Sequence, residues 1–383
     1  MNEKIKAKII TVFFVLFIFG FAVLGLVIKD REFSDMENRL LAQSPEVNSE
    51  TILNGEFQDK LESYLADQMP LRDELFSLKV DYERIMLKTH QNGVYFCDDG
   101  YIIQDYKENR AQLDKNTGYI NSFVQKVDVP VTFMLVPTAS SVLSDKLPVG
   151  CMNDDQLETV MYVKNALDEK ISFVCPTERL VDASKNVQVF YRTDHHWNAN
   201  GAAEGYLALM DAIGEKPSEV YLSGGYDYDT FKGEFYGTLY SKAPSAIQRA
   251  DTFYAPKNPD GNYNVEFAKE QENPKTLIGM YDVTKLEKKD KYATLFGGNY
   301  SHITIHSNAK NDERILVIKD SYANAVLPYL ADSFSTIDVV DMRYYHMEEK
   351  TVSELIKSTG ASRVIMLYNV DFFNSDNNFL WLD

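Results

Sequence analysis

The stretch YRTDHHWNANGA, residues 191–202, sets Asp194, His195, His196 and Trp197 side by side in a chain with six histidines in all. Three chemistries are open to it: a metal site, activation of a nucleophile, or a polar turn that only holds the chain. An acid two residues before a histidine in a turn can accept the imidazole Nδ1–H and fix the tautomer. Nε2 is then left to take a proton from a hydroxyl. Asp194 and His196 have that spacing, while His195 points elsewhere, toward substrate or into support of the turn. Trp197 reads as a packing plug behind the histidine more readily than as a sugar platform.

The hydroxyl has a candidate in RILVIKDSYANAVLPYL, residues 314–330. It reads as a buried strand, a sharp polar turn and a helix starting near Ser321. A serine there meets unpaired backbone N–H groups and the helix dipole, about half a positive charge, which can steady an alkoxide or an oxyanion. The competing reading is that Ser321 merely caps the helix, as serine often does, and that residues 194–196 merely cap and turn. Two such clusters at two strand ends favour chemistry over coincidence. A metal would need further ligands. His302 and His306 in HITIH fall on one face of a strand and could join Asp194 and His195. Strand histidines at that spacing are more often surface residues, so no metal is expected.

The elements that must position these groups are short apolar runs: 131–136, 171–175, 187–191, 314–318, 336–340 and 363–368. Helical patterns intervene at 156–170, 199–213, 322–330 and 348–357. Near-continuous apolar strands alternating with helices predict an α/β fold, a mostly parallel sheet covered by helices on both faces. In such sheets reactive groups collect at the carboxyl ends of strands. Residues 216–301, rich in Gly, Tyr, Asp and Lys, break the rhythm and read as a β-leaning insertion. No G-x-G-x-x-G or G-x4-G-K-[ST] stands at a strand end, so nucleotide binding has no support and no cofactor is expected.

The 383 residues carry a formal net charge of -18, which argues against nucleic acid as a partner. Cys97, Cys151 and Cys175 show no metal-knuckle spacing, and a Cys151–Cys175 bridge stays open. IITVFFVLFIFGFAVLGLVI, residues 9–28, has neither charge nor proline and at about 1.5 Å per residue spans the roughly 30 Å hydrocarbon core. Lys4, Lys6 and Lys8 precede it, which keeps the amino end in the cytoplasm. Its uninterrupted length favours an uncleaved anchor over a signal peptide. The expected organisation is a cytoplasmic stub 1–8, a transmembrane anchor 9–28, a helical stalk 29–90 and an α/β domain 91–383 outside the cell. The location is the cell membrane, single-pass.

At these residues a family resemblance enters. TDHHWNANGA with VIKDSYANA, VVDMRYY and MLYN downstream resembles the DHHW proteins of Gram-positive bacteria. These are similar to the AlgX/AlgJ-type SGNH-hydrolase-like proteins that O-acetylate exported polysaccharides. The resemblance covers most of residues 31–368; FSDMENRLLAQSP and NGVYFCDDGYII add less distinctive matches. It implies an SGNH-hydrolase-like fold, Ser321 as nucleophile, His196 as general base and Asp194 as its orienter. It also implies Arg343 and Tyr368 as further site residues, with Asn299 and Asn369 as oxyanion-donor candidates and His195 near substrate. The implied activity is O-acetyl transfer through an acyl-serine to a polysaccharide acceptor. With no acetyl-CoA outside the cell, a membrane-bound O-acyltransferase is implied as acetyl donor. Two other readings stay open: an acetyl-esterase with the same triad, and a non-catalytic polysaccharide-binding or assembly protein. The last is favoured by K-D-S-Y where small-residue G-[DT]-S is expected. Without the resemblance, Arg343 would read as an ion-pair partner of Asp341 or Asp338, and Tyr368 as a sheet-end aromatic.

Overall fold

A computed structural model describes residues 3–34, 36–37, 39–230, 234–267, 277–346 and 350–382. The chain divides into two compact units, Met1–Lys88 with Ser241–Gln248, and Thr89–Tyr240 with Arg249–Asp383.

The first unit is helical. Helix α1, Glu3–Val27, has a mean hydropathy of 2.9 over its most apolar stretch and no buried residue. It is long and apolar enough to cross a membrane. Glu56–Asp67 and Arg72–Ile85 follow as amphipathic helices. The buried Asp67 is satisfied by the fork of Arg39, at 2.6 and 2.8 Å, and by the backbone N–H of Ala42 at 2.9 Å.

The second unit is built on a seven-stranded sheet. We number its strands in chain order: β1 Val131–Val136, β2 Ile171–Val174, β3 Asn264–Phe267, β4 His302–His306, β5 Arg314–Lys319, β6 Thr336–Asp341 and β7 Arg363–Asn369. Their order across the sheet is β3-β4-β6-β5-β7-β1-β2. Strands β6, β5, β7, β1 and β2 are parallel, whereas β3 and β4 run antiparallel at one edge. The mostly parallel sheet expected from the apolar runs is thus present. Alternate residues feed two cores, because successive side chains in a strand point to opposite faces. Ile315 and Val317 join Trp197, Tyr206 and Tyr322 on one face; Leu316 and Ile318 join Phe133, Leu135 and Tyr368 on the other.

Helices α2 Arg110–Val124, α3 Gln156–Ala166, α4 Ala199–Ile213, α5 Val352–Thr359 and α6 Val370–Ser375 complete the layers used below. Helix α4 has the bounds expected from its pattern. Helix α3 stops short of 170, where the Asn121 side chain takes the Asp168 N–H at 2.8 Å. The pattern at 348–357 begins outside the described residues and is helical from Val352.

Two expectations fail. Residues 187–191 are not a sheet strand. Their backbone folds on the chain just downstream: Tyr191 N–H donates to His196 O at 3.2 Å and Asn198 N–H to Val189 O at 3.0 Å. The segment after Ser321 is not one helix either. Ser321–Ala325 is a single 3-10 turn and only Leu327–Ala331 is α-helical, with Pro328 in its first turn. Proline has no N–H to donate to a preceding turn, so the helix cannot extend back to Ser321.

Candidate active site

The carboxyl edge of the parallel strands gathers the polar groups. Ser321 follows β5, Arg343 follows β6, Asn369 ends β7, and the loop before β4 supplies Asn299. The Asp194–His196 turn comes from outside the sheet. Asp251 pins it in place, accepting from Arg192 N–H and Thr193 N–H at 2.9 Å each and from Thr193 Oγ1 at 2.8 Å. Helix α4 then starts under an Asn198 cap, whose Oδ1 accepts from Asn200 and Gly201 N–H at 3.0 and 3.2 Å. Gly201 lets this helix lie against the turn, since a Cβ there would sit 2.3 Å from Val189 O.

The carboxylate of Asp194 accepts from His196 Nδ1 at 2.6 Å, from His196 N–H at 3.0 Å and from Thr238 N–H at 2.8 Å. Burial pushes its pKa up. The neighbouring His196 and His195 and these hydrogen bonds outweigh that and hold it well below the usual carboxylate range. An ionised carboxylate only accepts, so His196 Nδ1 carries the hydrogen. Nε2 therefore accepts, and Ser321 Oγ–H donates to it at 2.7 Å. The three side chains form one relay, Ser321 to His196 to Asp194.

Ser321 is free for this because its neighbour caps the turn. Asp320 Oδ1 accepts from Tyr322 N–H at 2.8 Å, and its Oδ2 accepts from the N–H and Nδ2 of Asn369, both at 2.7 Å. Burial drives the Asp320 pKa up to about 6, against the lowering effect of those backbone hydrogen bonds. Capping by Ser321 is thereby excluded, and so is an extended helix dipole at its hydroxyl. Trp197, fully buried, joins the two motifs by donating Nε1–H to Tyr322 O at 2.9 Å. It is a packing residue with no face for a sugar.

The other expected residues divide. His195 lies with its ring centroid 3.8 Å from that of His196, and its Nδ1 is 2.8 Å from Thr238 Oγ1. Asn369 gives one Nδ2 hydrogen to Asp320 Oδ2 at 2.7 Å, and its Oδ1 accepts from Phe372 N–H at 2.9 Å. The amide has a second hydrogen, and the residue lines the same pocket as His195 and Tyr322. Asn299 Oδ1 accepts from the buried Lys319 Nζ at 2.9 Å and from Asn324 Nδ2 at 3.2 Å. No hydrogen bond joins Asn299 to Ser321 or His196 among the described residues. Arg343 is the ion-pair partner of Asp341, which it grips through Nε at 2.8 Å and through Nη2. Tyr368 is fully buried in the core on the far face from Tyr322, its ring 4.7 Å from that of Phe379, and does not reach Ser321. His302 and His306 are engaged on the sheet edge with Asp338 at 3.2 Å and Glu266 at 3.5 Å. They do not supply ligands beside Asp194 and His195.

Three contributors carry no sequence signal. Tyr292 stacks flat on His196, centroids 3.7 Å apart, and donates its hydroxyl to Ser321 O at 2.9 Å. Thr238 holds Asp194, and Asp251 holds the turn. All three come from the segment 216–301 that reads as an insertion, where no periodicity marks a single residue.

The sequence profile of the family described as "DHHW protein" matches residues 92–340, more than half of the chain. The chain belongs to the DHHW family. The match takes in Asp194, His196, Tyr292 and Ser321 and ends before Arg343 and Tyr368. Among solved structures, a DHHW family protein from Eubacterium siraeum is 25% identical with a TM-score of 0.64, over 76% of this chain and 94% of that one. PatB1 from Bacillus cereus is 26% identical with a TM-score of 0.60, over 74% and 98%. A second PatB1 structure, carrying a sulfonyl adduct, is 24% identical with a TM-score of 0.62, over 76% and 98%, and speaks to the fold alone. No curated protein sequence matches this DHHW chain.

Proposed function

We propose that this DHHW protein is an O-acetyltransferase working outside the cytoplasm, which passes an acetyl group through Ser321 to a polysaccharide hydroxyl. The observation that carries the reading is the continuous relay from Ser321 Oγ through His196 to Asp194, at 2.7 and 2.6 Å. Ser321 Oγ attacks the acetyl carbonyl of the donor as His196 Nε2 takes its proton. The donor's oxygen leaves with that proton, and the acetyl-serine remains. A sugar hydroxyl then gives its proton to Nε2 and attacks the acetyl-serine. Ser321 regains the proton and the sugar ester departs. Asp194 stays ionised throughout and steadies the imidazolium. The Tyr292 ring stacked on His196 adds an aromatic face to the transient cation.

Helix α1 is the proposed single-pass membrane anchor, with the second unit on the outer side and Lys4, Lys6 and Lys8 on the cytoplasmic side. A membrane-bound O-acyltransferase is the proposed acetyl donor, following the family resemblance.

The test is acetylation of Ser321 from an activated acetyl ester, read by peptide mass spectrometry, together with product analysis in the presence of an oligosaccharide. Ser321→Ala and His196→Ala each lower turnover by roughly 10³-fold or more while the melting transition is retained. A Ser321→Ala protein as active as its parent refutes the proposal. Free acetate as sole product, with no sugar ester, would make the enzyme an esterase.

A further inference from the structure

A cleft of about 250 Å³ borders the segment that leads into the Asp194–His196 turn, with residues 187–189 and Arg192 in its wall. Four cations from separate stretches of the chain converge on it. Lys146, Lys185, Arg192 and Arg249 face one carboxylate, that of Asp99. The whole chain holds 39 Lys and Arg against 57 Asp and Glu, so this wall reverses the balance of the molecule.

These donors are held in place and are not all spent. Lys146 Nζ and the Arg192 guanidinium lie 5.5 and 5.4 Å from the centroid of the Tyr101 ring, which anchors both. Lys146 Nζ gives one hydrogen to Asp99 Oδ2 at 2.6 Å. Arg192 gives Nε to Asp99 O at 3.2 Å and Nη1 to Gln188 Oε1 at 2.7 Å, and its Nη2 donates to no described residue. Arg249 acts on Asp99 through charge alone and makes no hydrogen bond or ion pair with any described residue. Its stem is nevertheless seated: a Cβ at Gly100 would lie 3.5 Å from Arg249 Cβ and Cγ. Lys185 pairs with Asp182 at 2.9 Å where both are exposed, a contact that water screens.

Cations gathered at a cleft repel one another, and an anionic occupant relieves that repulsion. The guanidinium forks match the oxygens of a carboxylate or a phosphate. A neutral sugar would leave them unpaired. The volume lies near the lower end for ligand clefts and suits one charged unit rather than a whole nucleotide. Position ties the cleft to the relay. Arg192 stands two residues before Asp194. The strand Ile102–Gln104 runs from Tyr101, at the cleft, to Gln104, which lines the pocket shared by His195 and Tyr322. Three residues of strand cover about 10 Å, a gap that a polymer bridges and a lone small anion does not.

We propose that this cleft is an anion subsite for the acceptor. It holds a carboxylate or phosphate of one unit while a hydroxyl elsewhere on the same polymer meets Ser321, which makes the acceptor an anionic polysaccharide. The acceptor role rests on the acyl-transfer reading; anion binding at the cleft is tested without turnover.

The full chain carrying Ser321→Ala, in detergent micelles at low salt, is titrated calorimetrically with oligomers of galacturonate, of glycerol phosphate and of glucose. At least one anionic oligomer binds about tenfold or more tightly than the glucose oligomer, and its affinity falls as salt rises. Which of the two binds distinguishes a carboxylate from a phosphate source. Arg249→Glu and Lys146→Gln each weaken that oligomer by roughly fivefold or more. Lys310→Glu, at an exposed residue outside the cleft, leaves it unchanged. Should one cleft variant fail to fold, the other decides. Glucose binding as tightly as the anionic oligomers overturns the proposal, as does binding of none of them. Equal weakening by Lys310→Glu overturns it by assigning the effect to net charge. Inorganic phosphate binding as tightly as the oligomers overturns it by leaving a simple-ion site, and Arg249-dependent binding to phosphatidylglycerol micelles alone does so by assigning the cleft to lipid. With Ser321 present, Arg249→Glu lowers the yield of sugar ester without slowing acetylation of Ser321 by a small activated ester; an unchanged yield would detach the cleft from the acceptor. No acetylation of Ser321 in the parent would sink the transfer reading and leave the anion site standing.

Discussion

Tyr292 touches both partners of the proposed proton transfer, stacking on the His196 ring and bonding the carbonyl of Ser321. Burial pushes its own pKa well above the ordinary value, so it acts as a neutral phenol. A ring face against a forming imidazolium contributes about 0.5–2 kcal/mol, and one hydrogen bond about 0.5–1.5 kcal/mol. Tyr292→Phe keeps the face and loses the bond, so the rate of Ser321 acetylation falls roughly two- to tenfold. Tyr292→Leu loses both and falls further, by roughly ten- to a hundredfold. Stopped-flow measurement of acetylation separates the two, and a leucine variant matching the phenylalanine variant would remove the stacking argument. None of this was legible in the sequence. A D-x-H spacing announces itself because the two groups are near neighbours in the chain. A stacking partner nearly 100 positions away does not.

Elements settle how closely the groups approach. Thr238 reaches Asp194 only because the preceding residue has no side chain: a Cβ at Gly237 would lie 2.3 Å from Asp194 Cβ and 2.4 Å from its Oδ2. Gly237→Ala must displace one loop from the other, at a cost of about 1–3 kcal/mol in stability. The 2.6 Å Asp194–His196 bond lies in the path of that displacement, so turnover falls more than stability alone would explain. Paired thermal melts and acetylation rates check this; a normal rate at a lowered melting temperature would show that the relay tolerates the shift. The sequence placed the apolar strands β1, β5, β6 and β7 well, since burial on both faces leaves runs of Val, Ile and Leu. It misread 187–191 for the same reason. That apolar run is buried by the chain wrapped around it, with Asn198 N–H bonded to Val189 O, and no sheet neighbour is involved. The helix drawn through Ser321 failed because apolar spacing continues across Pro328 while the hydrogen-bond ladder cannot.

At the scale of the whole second unit, Asp338 ties β6 to β4 and β5. It accepts from Arg314 at 2.6 and 2.8 Å, from Thr304 at 2.9 Å and from His302 at 3.2 Å. Burial raises its pKa, but the His302 and Arg314 hydrogen bonds win and lower it to about 2. A depressed carboxylate pKa contributes stability above the unfolded value near 4, and that contribution is lost as pH falls through 2. The gap corresponds to about 2 kcal/mol. Asp338→Asn is therefore less stable than the parent at pH 5 to 7, and the difference shrinks toward pH 2, measured by urea unfolding at each pH. A difference independent of pH would assign the effect to packing alone. HITIH was legible as a strand and residues 216–301 as β-leaning, but the antiparallel pairing of β3 and β4 at the edge that Asp338 anchors was not, because pairing direction is set by a distant partner strand.

The sequence by itself determined the apolar strands of a mostly parallel sheet, a helix long enough for a membrane, and the pairing of an acid with a histidine two residues on. These are local properties, set by periodicity and by neighbours in the chain. Only the tertiary structure decided that His196 meets Ser321, that Asp320 rather than Ser321 caps the turn, and that Tyr292 and Thr238 hold the relay. It also turned Arg343 to Asp341, Asn369 to Asp320 and Tyr368 into the far core. The reason is physical: a polar side chain bonds whichever partner folding brings within about 3 Å, and composition or spacing cannot say which distant segment that will be.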